Sequence, residues 1–324
     1  MPSLFENAIA SIRMGVEDFR QQDHHRDISA VRNFYAGVLL LAKEALIRAA
    51  PNADPQHVIG AKLKPVPDGQ GGIEMSQVGH STIDFQQIGE RAKDFGIALD
   101  HKALRALNTI RNDMEHHYTS ESATAIRAAI SKGFPVAASL FRQMEENPLA
   151  LLGEAWTTML ETKELYDQEL GEARATLEKI EWHSPSIIPE VIQCGNCQSE
   201  LVEQTEAENE SQDCAELRCK TCGQDVETAD AIERAIEKVH GTEAYIRYKD
   251  AFEDGPIYTC PACSRATLVE GEDGCANCSE PLDYTDECMR CGTGISIQDY
   301  LDGLDEGLCS YCAHMQEKIM RDDT

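Results

Sequence analysis

Twelve of the thirteen cysteines in this chain form six Cys-x2-Cys pairs, and all thirteen lie between Cys194 and Cys312. The pairs are Cys194/Cys197, Cys219/Cys222, Cys260/Cys263, Cys275/Cys278, Cys288/Cys291 and Cys309/Cys312. One such pair can bite a tetrahedral Zn²⁺ with two thiolates, and a second pair completes the shell. Six pairs therefore imply three closed four-cysteine sites in a C-terminal half made of small zinc-stabilised β-ribbon modules. Gly or Pro beside several pairs (Gly195, Gly223, Pro261, Gly292) suits tight knuckle turns. Four thiolates leave no open position for a catalytic water, so all three ions are expected to be structural. Modules this small bury little core, so zinc should supply much of their folding free energy.

Sequential pairing groups Cys194, Cys197, Cys219 and Cys222, then Cys260, Cys263, Cys275 and Cys278, then Cys288, Cys291, Cys309 and Cys312. A cross-braced arrangement of the last four pairs is the alternative. Cys214 is the odd thiol; it can stand in for Cys219, although the Cys-x2-Cys geometry favours Cys219. His314, just past the last pair, reads as solvent-exposed. The competing reading of so many cysteines is a disulfide framework. Against it, Met1-Pro2-Ser3-Leu4-Phe5-Glu6 lacks a basic segment followed by an apolar run, which predicts no signal peptide. A cytoplasmic chain with this pattern is expected to bind metal. No apolar run approaches the roughly 20 residues needed to cross a bilayer, so no membrane association is expected.

The N-terminal half reads as a mainly α, helical-bundle domain over 1–146. Leu4, Phe5, Ala8, Ile9, Ile12, Val16 and Phe19 recur at helical spacing. A second helix, Val31 to Ala50, is nearly apolar around Val38 to Leu41, and Pro51 ends it. Residues 51–82 carry prolines and glycines with little periodicity and read as a long loop or flap. Helices are expected near Asp84–Phe95, Ser120–Lys132 and Pro135–Glu145. One long helix over 147–184, from about Pro148 to Trp182, reads as a connecting spacer arm, broken by Ser184-Pro185. A first ribbon plus helix (Glu227–Val239) would fill 185–258, and tandem ribbons 259–324.

Charge constrains the partners. The formal net charge is −28; residues 1–183 carry −7 of it and residues 184–324 carry −21. Nucleic-acid binding needs cations to engage phosphates. The acidic cysteine half is therefore expected to be a protein-docking or dimerisation module, or an acidic mimic shielding a basic groove. Any RNA groove in the N-terminal half would have to draw on Arg105 and Arg111, with Lys102 nearby and Lys62 and Lys64 from the loop.

The richest segment for function is Asp100 to Tyr118. Asp100 is a plausible N-cap, and Leu104, Leu107, Ile110, Met114 and Tyr118 make one apolar stripe. At about 100° per residue, Arg111, Glu115, Asn112 and His116 follow one another along an arc of roughly 140° beside that stripe. A cation, a carboxylate, an amide and an imidazole thus share one flank of one helix, a set suited to acid–base chemistry on a phosphodiester.

The pattern Arg111-x4-His116, with polar Asn112 after the arginine, resembles the signature of the HEPN superfamily of small helical domains, many of which are RNases. The longer form Arg111-x4-His116-x-Tyr118 resembles the variant in HEPN toxins paired with a minimal nucleotidyltransferase antitoxin. The resemblance covers roughly residues 1–145. It implies a homodimer with a composite site at the two-fold axis, an RNA substrate, no catalytic metal, and products with 2′,3′-cyclic phosphate and 5′-hydroxyl ends. His116 would act on the 2′-hydroxyl or the leaving group, Arg111 would stabilise charge on the phosphorane, and Asn112 and Glu115 would orient them.

Each residue also has a plainer reading. Arg111 and Glu115 can form an ordinary i,i+4 helix pair. His116 and His117 can be exposed at a helix terminus, where the dipole favours a cation. Tyr118 fits a core or stacking role as well as that of a modification target. His24-His25 beside Asp23 reads as a solvated helix end rather than a metal site. Two functions remain: a toxin or phage-defence endoribonuclease whose cysteine half docks a partner or antitoxin, and an inert HEPN-like scaffold that presents zinc ribbons to proteins.

Overall fold

The structure, a computed structural model, describes residues 3–116, 121–251, 255–282, 287–295, 297–301 and 307–322. His117 and Tyr118 lie outside it. The chain divides into two units, Met1–Glu169 and Leu170–Thr324.

The first unit begins with α1 (Leu4–Arg20) and α2 (His24–Arg48). Ser3 and Glu6 close a capping box on α1: the Glu6 N–H donates to Ser3 Oγ and the Ser3 N–H to Glu6 Oε2. α2 starts earlier than its apolar run suggested. Asp23 is its N-cap, accepting from the His25 N–H at 2.9 Å, so the two histidines occupy the first helical turn. The two helices come very close at Gly15, where an added Cβ would lie 2.4 Å from the Phe34 nitrogen.

Residues 51–82 are not a structureless loop. They hold a short helix α3 (Pro55–Ile59) and a hairpin of β1 (Leu63–Pro67) and β2 (Ile73–Gln77). Asp68 shapes the hairpin turn by accepting from the N–H groups of Gln70 and Gly72. The Val78→Lys62 and Asp68→Gly72 backbone bonds, with Lys64 opposite Ser76 and Val66 opposite Glu74, fix the hydrogen-bonded pairs. Alternation along the ladder then turns the nitrogens of Pro65 and Pro67 away from β2.

α4 (Phe85–Asp94) precedes α5 (His101–His116). Asp100 caps α5 through a 2.9 Å bond from the Ala103 N–H, and Leu104, Leu107 and Ile110 are buried as their stripe requires. α6 (Ala123–Gln143) is one helix, not the expected two, and it carries Pro135 in its interior. A proline there removes one backbone hydrogen bond, but Phe134, Val136, Ala137, Leu140 and Phe141 are all buried, and packing on α2 and α5 overrides the break. Asp27 is buried in this unit; it pairs with Arg127, whose guanidinium lies 3.9 Å over the Phe19 ring.

The expected spacer helix is three helices: α7 (Pro148–Leu152), α8 (Glu154–Leu160) and α9 (Lys163–Leu177). Gly153, at φ 57°, breaks the first from the second. Leu152, Trp156, Met159 and Leu160 are buried, and α7 and α8 pack on α1. α7 and α8 therefore belong to the helical body and are not a free arm.

In the second unit, β3 (Val202–Gln204), β4 (Leu217–Cys219) and β5 (Asp225–Val226) form an antiparallel sheet in that order. α10 (Thr228–Ala251) lays Ala231, Ile232, Ala235 and Ile236 into its core. β6 (Ile257–Thr259) and β7 (Ala266–Val269) make a second hairpin. The last module differs. Among the described residues it has an isolated bridge, Glu287 to Gly294, then α11 (Ile297–Leu301) and α12 (Ser310–Asp322). Among the described residues no helix is long and apolar enough to cross a membrane.

Candidate functional site

α2 and α5 turn one face each toward a cleft of about 870 Å³ in the first unit. From α2 come Arg32, Tyr35, Ala36, Leu39, Leu40 and Lys43, and from α5 come His101, Arg105, Asn108, Arg111, Asn112 and Glu115. Both sets step by three or four residues, or by sums of those steps, which puts each on one side of its helix. Ile83 to Gln86, at the start of α4, close a third side.

Three residues of the motif flank, Arg111, Asn112 and Glu115, therefore line a cavity. Arg111 donates from Nη1 to Asn112 Oδ1 at 3.0 Å and pairs through Nη2 with Glu115 Oε2 at 2.7 Å. Two of its five N–H donors are thus held by its own helix, and the guanidinium is oriented by them. Its pair with Glu115 is half-exposed. His116 is the last residue of α5; its backbone is placed one residue beyond Glu115, and its side chain lies outside what the structure describes.

Four cations line the cleft: Arg32, Lys43, Arg105 and Arg111, against the carboxylates of Asp84 and Glu115. Arg105 is where the sequence suggested, whereas Lys102, Lys62 and Lys64 do not line it. Arg32 and Lys43 were missed. Their signal was the eleven-residue spacing through Tyr35 and Leu39 on a helix that reads as apolar core. Lys43 donates to Thr82 Oγ1 at 2.9 Å, and partial burial lowers its pKa. Tyr35 donates to Asn108 Oδ1 at 2.5 Å. Burial pushes its phenol up to about 12, with Arg111 acting in the opposite direction, so it stays a donor. His101 stacks on Phe85 with ring centroids 3.9 Å apart and has Nε2 3.2 Å from the Phe85 carbonyl. The floor, with Leu39 and Leu40 half-buried, is apolar.

The twelve paired cysteines gather into three groups, Cys194/197/219/222, Cys260/263/275/278 and Cys288/291/309/312, each with its four sulfurs within 4.8 Å of one another. Pairing is sequential, and the cross-braced alternative is not adopted. Cys214 joins none of the groups and is exposed, as is His314. The Sγ–Sγ distances across pairs are 3.7 and 3.6 Å in the first group, 3.8 and 3.7 Å in the second, and 3.7 Å between Cys291 and Cys309. A tetrahedron of sulfurs about 2.3 Å from a central zinc has edges of about 3.8 Å. Disulfides would need about 2.05 Å. The donor sets thus fit a tetrahedral thiophilic ion.

Burial, followed by its effect through neighbouring cysteines, raises the pKa of Cys278 and of Cys312, while the Cys309 N–H chiefly draws Cys288 down. In the third group, Cys309 and Cys312 sit at the start of α12 instead of on a second knuckle.

No family model, curated protein or solved structure matches this chain.

Proposed function

We propose that the chain is a metal-independent endoribonuclease of HEPN type, acting as a toxin or phage-defence effector, with an acidic zinc-binding half that docks a partner or restrains the enzyme. The observation that supports this most is the cleft. Arg111, Asn112 and Glu115 open into it beside Arg32, Lys43 and Arg105, which concentrates cations in a half whose net charge is negative. Phosphodiester recognition needs that concentration.

In this reading His116 takes or gives the proton at the 2′-hydroxyl or the leaving oxygen, since an imidazole titrates near neutrality. Arg111, held by Asn112 and Glu115, stabilises the charge that builds on the phosphorane. Arg32, Lys43 and Arg105 hold flanking phosphates. A two-fold dimer that brings two α5 helices together would gather two copies of each group, and the products would carry 2′,3′-cyclic phosphate and 5′-hydroxyl ends. Tyr118 remains a modification target in this reading. A protein partner or antitoxin would engage the acidic half.

The second reading is a catalytically inert scaffold presenting zinc modules to proteins. The Arg111–Glu115 pair, which occupies the guanidinium within its own helix, favours it. Incubation of the purified chain with total RNA and tRNA, in brief EDTA that leaves the zinc loaded, separates the two. Cleavage by wild type but not by His116→Ala or Arg111→Ala supports the nuclease. Silence of all three, with residues 1–183 also silent, supports the scaffold; activity of 1–183 alone means a nuclease held off by its C-terminal half.

A further inference from the structure

In a half with far more carboxylates than cations, one partly buried arginine has no carboxylate partner among the described residues. Arg174, Arg218, Arg247 and Arg265 each pair with at least one Asp or Glu, and Lys220 and Lys238 do the same. Arg234, on α10, has no ion pair with any described residue, although Asp230 and Glu237 lie four and three residues away on its own helix. Arg265 takes Asp230 and Glu233 instead. The Arg234 Nε is buried and has no hydrogen-bond partner among the described residues. Its guanidinium lies against Gly195, inside the first cysteine knuckle: a Cβ added to Gly195 would meet Nη1 at 2.7 Å, Cζ at 2.8 Å and Nη2 at 3.0 Å.

We infer that Arg234 is the counter-charge of the first four-cysteine centre. Four thiolates around Zn²⁺ carry a formal charge of −2, and here Cys194 and Cys219 are buried at 1% and 0% exposure, with Cys222 partly buried and Cys197 exposed. A buried net charge is costly unless a partner offsets it, and groups outside the ligand shell tune metal affinity, typically by tenfold to a hundredfold. An orphaned donor on a cation beside that centre meets this need, and no carboxylate among the described residues pairs with it to dilute its charge. Glycine at 195 leaves room for the guanidinium to lie there.

The test follows zinc loss from the intact chain to a competing chelator with a metallochromic indicator. In Arg234→Met one of the three zinc equivalents should leave tenfold or more faster, while Arg234→Lys stays close to wild type. The fast phase should vanish in a Cys194→Ser background, which assigns it to the first centre. Gly195→Ala is a second route that leaves Arg234 in the chain: the methyl displaces the guanidinium, and the same equivalent should be released faster. Unchanged release in both Arg234→Met and Gly195→Ala, or equal acceleration in Arg234→Met and Arg234→Lys, overturns the assignment. Should Arg234→Met not fold, the wild-type chain still decides: the Arg234 Nε–H resonance must shift when Cd²⁺ replaces Zn²⁺, and a resonance indifferent to the metal overturns it.

Discussion

In the helical unit, Phe34, Phe134, Phe141 and Trp156 are buried to 1% exposure or less, and every one of the largest fully buried side chains of the described residues lies there. Among the described residues of the cysteine unit, the cores shrink along the chain. The first centre sits in a cluster that also holds Leu177, Ile180, Ile187, Ile192, Ile232 and Ile236. The second keeps Tyr258, Leu268 and Ile297. In the third, Ile295 is, among the described residues, the one buried member of the cluster that is not a cysteine. One unit is held by apolar area; the other passes, as the chain proceeds, from apolar area toward cysteine groups that could hold a metal ion. Two units of comparable length can thus be ordered by two unlike forces, and each force has its own way of failing.

Metal removal should break the comparison most sharply. Structural zinc contributes about 10–16 kcal/mol in small modules, so prolonged chelation should unfold residues 260–322 and leave α1, α2, α5 and α6 intact. Hydrogen exchange reads this directly. Protection lost uniformly over both units would show that the helical unit leans on the metal. The gradient in core size adds an order of loss, third centre before first.

Phe134→Ala is the mirror experiment. Phe134 makes edge-to-face contacts with Phe19 and Phe34 at 5.3 and 5.0 Å, and its loss should cost the helical unit about 3–5 kcal/mol. Thermal unfolding should show this unit melting earlier with zinc content still at three equivalents. Gly15→Ala, which sets a methyl against the Phe34 backbone, should cost about 1–3 kcal/mol by forcing α1 and α2 apart; urea midpoints of the same transition measure it. Ser3→Ala, which opens the capping box on α1, should cost only about 1 kcal/mol. An effect of Ser3→Ala as large as that of Phe134→Ala would mean that α1 is held by its end and not by its face.

What the sequence disclosed follows the same division. The sequential cysteine groups were readable because ligand spacing is local and chemically specific. α5 was readable because Asp100 and the stripe through Leu104, Leu107 and Ile110 agree. The hairpin was not: β1 and β2 are largely exposed on both faces, so no alternation of apolar and polar residues marks them. Pro135 and Gly153 misled in opposite directions. Pro135 is overridden by burial around it, while Gly153, unremarkable in the pattern, adopts a left-handed conformation that ends a helix. Of the cleft, the α5 wall was legible and the α2 wall was hidden, because Arg32 and Lys43 border an apolar stretch that reads as core.

The hairpin has a directional edge. On β1, Pro65 and Pro67 offer no N–H to an incoming strand, since their nitrogens face outward. On β2 the outward groups belong to Ile73 and Met75, both exposed, and neither is a proline. A strand arriving from outside can therefore be accepted on one side only. Were two copies to join there back to back, prolines would stand at both outer margins of the joined sheet, and the stacking would stop at two instead of running on into a fibre.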